Sequence, residues 1–526
     1  MRIFVISICV YFCFLAHYSN GQEQKYGSLS GGFETNTIYY LKDNKTGAVR
    51  PDDHFGSNNY LNLDYRWKRF SVGLMYEAYL PVLQGFSNAL NDNDIVYKYV
   101  AFEDRNLKIR VGDFYEQFGS GLIFRAYEER SLGLNTAVEG VNLFYSYRDK
   151  VSIRGIYGRP RKFMEHAESS VRGIDAGVSL DRLLGMQAAY LRLEGSFLNR
   201  YEEYVGNQAI ESNVDAWSFR GIFETGGFFM RGEYVFKSKD PAVYNGYVPE
   251  RGQAALLEMG YVQKGLGIQL NLRGLKWMEF RSSREAVGFE EGLNYLPALT
   301  RQHTYALANL RPYATQGNGE TGGQLDFYYN FRRNTPLGGR YGWKLQVNFS
   351  TYYNLKSTAA GKARFLTLGE ELLFRDLNLE VTKKWGPDWK TILFYSMQDF
   401  NPQVIGKQPD KFHSHILVGD MLYKWHGKYS LRLEAQHLWT KQDDQNWFAA
   451  LLEFGVAPSW NLFVSDVYNY GNTDIHYYNG GLSYSRSRTR IALNYGRTRA
   501  GYQCAGGVCR EMPAYTGLNL TLTSSF

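Results

Sequence analysis

The side chains of this sequence best placed to do chemistry are arginines. Arg66, Arg110, Arg154, Arg192, Arg220, Arg231, Arg273, Arg432 and Arg490 all lie in stretches where apolar and polar residues alternate, and each falls on the polar parity. Asp64, Glu194, Glu233 and Glu434 share that parity. A guanidinium is always charged and presents a rigid fork of donors, so a wall carrying it either draws anions or locks onto neighbouring carboxylates. Both readings stand at this level: a basic path for anionic solutes, and a salt-bridge lattice that stiffens the wall.

Catalytic readings find little support. Gly119-Ser120-Gly121 lacks the flanks of a nucleophile elbow. His413 and His415 share a strand face, as ordinary lining residues do, and the 9 histidines show no metal-ligand spacing. No phosphate loop and no nucleic-acid module is present. The expectation is no enzyme, no cofactor, no metal and no nucleic-acid partner. Cys504 and Cys509 lie close together in a glycine-rich stretch and are expected to pair in an oxidising compartment; the alternative is two free thiols.

The elements that must hold these arginines are strands. Leu61, Leu63, Tyr65 and Trp67 alternate with Asn62, Asp64 and Arg66, and Leu431, Leu433 and Ala435 alternate with Arg432, Glu434 and Gln436. Period two with an apolar and a charged face means a sheet with two different surroundings. Short turns such as Arg148-Asp149-Lys150, Gln263-Lys264-Gly265 and His426-Gly427-Lys428 alternate with longer polar loops, among them 42–56, 81–93, 159–170, 239–251, 401–411 and 501–513. The tight connections near 441–445 and 471–473 fit that alternation least. An up-and-down membrane barrel has this asymmetry, with short periplasmic turns and long extracellular loops. The count is about 24 strands, with 22–26 allowed because 366–385 reads as one strand or as a hairpin at Arg375-Asp376.

Composition agrees with an exported all-β chain. Of 526 residues 16% are aromatic, Gly 54 far exceeds Pro 13, and the net charge is +7. Arg2, the apolar run Ile3–Leu15 and the small residues Ser19 and Gly21 read as a signal peptide over 1–21, leaving 22–526 as one barrel domain. After it no apolar run is long enough for a transmembrane helix. Thr516, Leu518, Leu520 and Leu522 share parity with Phe526, the pattern of a C-terminal assembly signal; the alternative is an ordinary edge strand. Trp67, Trp385, Trp389, Trp425 and Trp460 beside short turns, with Trp217, Trp277, Trp439 and Trp447 near the opposite ends, read as two interfacial belts.

A barrel of this strand number is roughly 45–50 Å across, too wide for side chains to fill. With only a few residues between the leader and the first strand, the expectation is no N-terminal plug and no energised transport. The segments expected to narrow the lumen are 280–321 and 116–136, the first bringing Arg301, His303, Arg311 and Tyr313 towards inner-wall acids. The alternative leaves 280–321 outside as a surface loop.

The stretch Gly112-Asp113-Phe114-Tyr115-Glu116-Gln117-Phe118-Gly119-Ser120-Gly121-Leu122, followed by Tyr127-Glu128-Glu129-Arg130, with the start at Gln22, resembles the porin-like barrels of Bacteroidota outer membranes. The resemblance covers the whole mature chain and implies the barrel fold without an activity. The expected function is an outer-membrane, porin-like channel for small solutes with a loop-constricted, arginine-lined lumen. The alternative is a non-conducting scaffold or conduit component of a secretion or surface-assembly complex. Expected partners are membrane lipid and lipopolysaccharide, the barrel assembly machinery, and outer-membrane protein or lipoprotein partners.

Overall fold

The alternating stretches pair into a single ladder. The structure is a computed structural model that describes residues 26–204, 210–359, 361–402, 411–442 and 444–526. Segment 1–21, read above as a signal peptide, lies outside the described residues. The first strands are β1 (Ser28–Leu41), β2 (Phe55–Trp67), β3 (Phe70–Tyr79), β4 (Asn93–Glu103), β5 (Leu107–Phe114) and β6 (Val138–Tyr147). Next come β7 (Val151–Lys162), β8 (Ser170–Ser179), β9 (Tyr190–Tyr201), β10 (Asn213–Thr225), β11 (Phe228–Lys239) and β12 (Arg251–Gln263). Then follow β13 (Leu266–Lys276), β14 (Gly319–Phe331), β15 (Trp343–Tyr353), β16 (Leu372–Lys384), β17 (Trp389–Phe400) and β18 (Phe412–Trp425). The last are β19 (Tyr429–Trp439), β20 (Trp447–Val456), β21 (Trp460–Asn469), β22 (Ile475–Arg486), β23 (Thr489–Thr498) and β24 (Tyr515–Ser525).

These 24 strands form a closed antiparallel barrel. Each strand pairs with its sequence neighbours, and β1 pairs with β24 from Gly32↔Ser525 to Leu41↔Thr516. Phe526 extends that seam: its backbone N–H donates to the Gly31 carbonyl at 3.0 Å and its carbonyl accepts from Gly31 at 3.1 Å. Closure leaves no open edge, which a lipid-facing sheet requires because hydrocarbon offers its backbone no water. No helix among the described residues is long and apolar enough to cross a membrane.

The outer face is apolar. Val464 is 63% exposed, Leu393 60% and Tyr157 60%, and Leu518 and Leu520 also point outward. The opposite parity faces the lumen: in β16, Asp376 and Asn378 are fully buried while Leu379 between them and Glu380 stands exposed. Trp67, Trp385, Trp389 and Trp460 are exposed beside short turns, and Trp217 and Trp439 at the other end. Trp447 departs from the belt reading: it sits on the inward parity of β20, buried against lumen residues.

Turn chemistry fixes one end. Arg148 and Asp149 both have positive φ, as do His426 and Gly427, the pattern of two-residue turns whose twist matches the flanking strands. Two connections on this short-turn end were not anticipated: 180–189, with a short helix α1 (Leu180–Leu184), and 332–342. Residues 366–385 contain one strand, β16, which starts at Leu372. The tight links 440–446 and 470–474 do lie at the long-loop end.

Candidate functional site

All nine arginines singled out above lie on the inward parity, and most are held by carboxylates. Arg192 reaches Glu194 at 2.6 Å, and Arg220 reaches the same carboxylate at 2.8 Å and also bonds Asp175. Arg231 pairs with Glu224 at 2.8 Å, Arg432 with Asp420 at 3.0 Å, Arg154 with Glu116 and Arg273 with Glu320. Arg110 instead donates to the Tyr97 hydroxyl and stacks over Tyr99 at 4.1 Å. Arg66 and Arg490 form no ion pair among the described residues. The geometry of the middle wall is therefore mainly that of a lattice.

Above that lattice three connections turn into the barrel at the long-loop end. Residues 277–318 run along the inner wall of β15 to β20. Tyr352 donates to the Leu299 carbonyl at 2.9 Å, Arg301 pairs with Glu380, and His303 meets Asp376 at 2.6 Å. The Leu307 N–H donates to Gln436 at 2.9 Å, and Gln398 donates to the Ala308 carbonyl at 3.0 Å. Tyr313 donates to Glu320 at 2.5 Å. The Arg311 guanidinium lies 4.2 Å over the Phe412 ring.

Residues 115–137 pack beside this segment. Phe118, Leu122 and Phe124 are buried against Val171, Leu198 and Val214 of the wall. Arg125 donates to the Leu293 carbonyl at 2.8 Å and Tyr295 to the Gly121 carbonyl at 2.9 Å. A Leu or Phe side chain gains about 1.5–3 kcal/mol on full burial, whereas buried ion pairs add little net stability. Apolar packing thus holds the plug in place, and the charge pairs fix its register.

The third contributor is the hairpin Gly501–Ala505 with Val508–Met512, in which Cys504 and Cys509 are disulfide-bonded. Its tip, Gly506-Gly507, has positive φ at both residues. It rests on 295–298, with Tyr295 donating to the Gly506 carbonyl at 2.6 Å. A Cβ on Gly507 would lie 2.4 Å from the Ala298 nitrogen, so glycine permits both the turn and the contact.

Arg510 in this hairpin is the hub. Its guanidinium donates to the Leu132 carbonyl at 2.8 Å, the Gly85 carbonyl at 2.8 Å and Glu290 at 2.6 Å. The rings of Phe86 and Phe289 lie 5.1 and 5.0 Å away. One buried side chain so joins connections 80–92, 115–137, 277–318 and 499–514. The sequence offered no signal for it, since Arg510 lies off any strand parity that marks an inner wall.

Buried charge clusters under the plug were also missed. Arg161 bonds Glu77 at 2.7 Å, both almost fully buried. Arg200 bonds Asp240 at 2.7 Å, and Lys237 reaches the same carboxylate at 3.2 Å. Burial works to raise the Asp240 pKa, but Lys237 and Arg200, with Tyr244 donating at 2.5 Å, hold it at about 2. Burial pushes the Glu128 carboxyl above its ordinary range against the pull of Arg130, and it does the same for Glu291. His413 and His415 face outward, their Nε2 atoms 3.1 Å apart, with Asp399 on His413 and Tyr395 on His415.

Among solved structures, the chain is similar to the siderophore receptor PirA from Pseudomonas aeruginosa, at 10% identity and TM-score 0.41, covering 96% of this chain and 82% of that one. It is also similar to the P pilus usher PapC translocation pore, at 9% identity and TM-score 0.47, covering 95% and 99%. The copper transporter OprC matches at 8% identity and TM-score 0.39, covering 96% and 82%. No curated protein matches the chain. A family model matches over residues 1–526, and the chain belongs to that family, described as a family of unknown function (DUF6029).

Proposed function

We propose that the chain resides in the outer membrane, its short turns in the periplasm, as a porin-like channel for small solutes. Residues 277–318, 115–137 and the disulfide hairpin form its constriction. The observation that carries this reading is the wet, charged wall beneath the plug, where the Arg231 side chain is 49% exposed and Asp64, Lys384 and Arg490 are open to the lumen. An inner wall kept aqueous in a barrel this wide is the design of a conduit. We assign it no catalytic chemistry, and its partners are outer-membrane lipids and the assembly machinery.

A second reading rests on how tightly the inward connections pack: Phe118, Leu122 and Ile123 have no exposed surface. This favours a non-conducting scaffold or conduit component that opens when a partner binds. Planar-bilayer recording separates the two. A channel shows small, discrete steps as wild type and much larger steps when 284–316 is replaced by a short Gly-Ser linker. A barrel silent in both forms refutes the channel, and equal steps in both refute the constriction.

A further inference from the structure

The short-turn end carries a cluster of cations that the wall lattice does not explain. Elsewhere on this end some cations meet acids, with Arg69 pairing with Asp104 at 3.0 Å, Arg182 with Asp149 at 3.0 Å and Arg231 with Glu224. Between β12 and β16 five cations gather around one recess. Lys264, Arg332, Arg333, Lys344 and Lys384 line a recess of about 620 Å³ together with Thr382, Asn330, Tyr341 and Trp343, and no carboxylate is among its lining residues. None of these five cations forms an ion pair among the described residues. Lys384 faces Lys390 directly across the β16–β17 register. Like charges directly opposed in this way weaken a sheet. Lys344 and Lys384 lie on the inward parity, so lipid anchoring does not account for them.

A concave, low-dielectric surface lined by one sign of charge concentrates counter-ions. Arg332 and Arg333 supply forked donors suited to phosphate, sulfate or carboxylate oxygens, and the lysines supply point charges. We propose that this recess at the periplasmic mouth is a binding site for a multivalent anion. The two chemical sources are a free polyanionic solute and an anionic lipid headgroup of the inner leaflet. The site needs no conduction, so it stands or falls apart from the channel reading.

The test uses the purified full chain in phosphatidylcholine nanodiscs, with the trisulfonated dye pyranine as probe and fluorescence anisotropy as readout. Binding is expected to saturate, to weaken with added salt, and to be displaced by inorganic pyrophosphate. Lys344→Glu with Lys384→Glu should weaken it by about tenfold or more. The milder Lys344→Gln with Lys384→Gln should weaken it less but measurably, with insertion checked by heat-modifiable mobility. Adding phosphatidylglycerol to the nanodiscs tells the sources apart: displaced dye marks a headgroup site, and unaltered binding marks a solute site. No saturable binding, or binding that both variants leave intact, overturns the proposal. A chain that binds pyranine yet never conducts would refute the channel and keep the site.

Discussion

Arg510→Ala should loosen four connections at once. In the folded barrel its side chain is 7% exposed and that of its partner Glu290 12%. Breaking such a pair by removing one member costs about 3–5 kcal/mol, because the remaining charge is left buried without a counter-ion. Part of this cost is recovered when the loops open and return Glu290 to water, so the closed plug loses about 3 kcal/mol relative to the open one. Each 1.4 kcal/mol is a factor of ten, which makes opening about a hundredfold more frequent. Amide hydrogen exchange in detergent reads this directly, since loop opening limits exchange there. Peptides from 80–92, 115–137, 277–318 and 499–514 should all speed up together, while the barrel strands keep their protection. Arg510→Lys keeps the charge but not the fork, so it should fall between. Acceleration confined to 499–514 would refute the hub, and the four connections would then be independent loops that merely touch.

Deleting Phe526, or replacing Leu520 and Phe526 by Asp, should abolish heat-modifiable, membrane-inserted protein, because both sit on the β1–β24 seam that closes the barrel; normal insertion would show the seam tolerates it. Cys504→Ser with Cys509→Ser should leave the barrel's thermal unfolding unchanged and speed exchange only around 501–512, since the bond closes a short hairpin; intact-mass analysis of the wild type after alkylation should find no free thiol there. Glu128 has a raised folded-state pKa, so burying its charged form costs stability at neutral pH and the cost is relieved as pH falls through that pKa. Protection of 115–137, corrected for intrinsic exchange, should therefore rise between neutral and mildly acidic pH, and Glu128→Gln should flatten the response.

The strands were legible because lipid and lumen impose opposite polarity on successive residues, as Leu433 and Arg432 display. Turn chemistry was legible at Arg148-Asp149 and His426-Gly427, where local backbone preference decides. The lumen arginines were legible by parity, but their carboxylate partners lie on neighbouring strands, and pairing depends on register that no single stretch encodes. Trp447 was misread because its distance from the strand end suits an interface while its parity sends it inward. The hub at Arg510 was invisible because it joins residues more than two hundred positions apart, down to Glu290, Leu132 and Gly85. The cationic mouth was not legible because Arg332 and Arg333 lie in a connection, off any strand parity, and only the barrel's closure brings them beside Lys344 and Lys384.

The pairing of inner-wall arginines with carboxylates also bears on how the charge of that wall can change. Every guanidinium in the lattice is a charge already paid into the fold and masked by a neighbour. A single substitution, such as Glu116→Gln beside Arg154, removes the one carboxylate paired with that guanidinium and unmasks a cation at a defined height without altering a barrel strand or the register. The wall is thus a reservoir of latent anion sites. Chains that differ by one acid in the lumen would differ in how strongly the inner wall attracts anions while keeping the same barrel, and substitution can explore those differences one residue at a time.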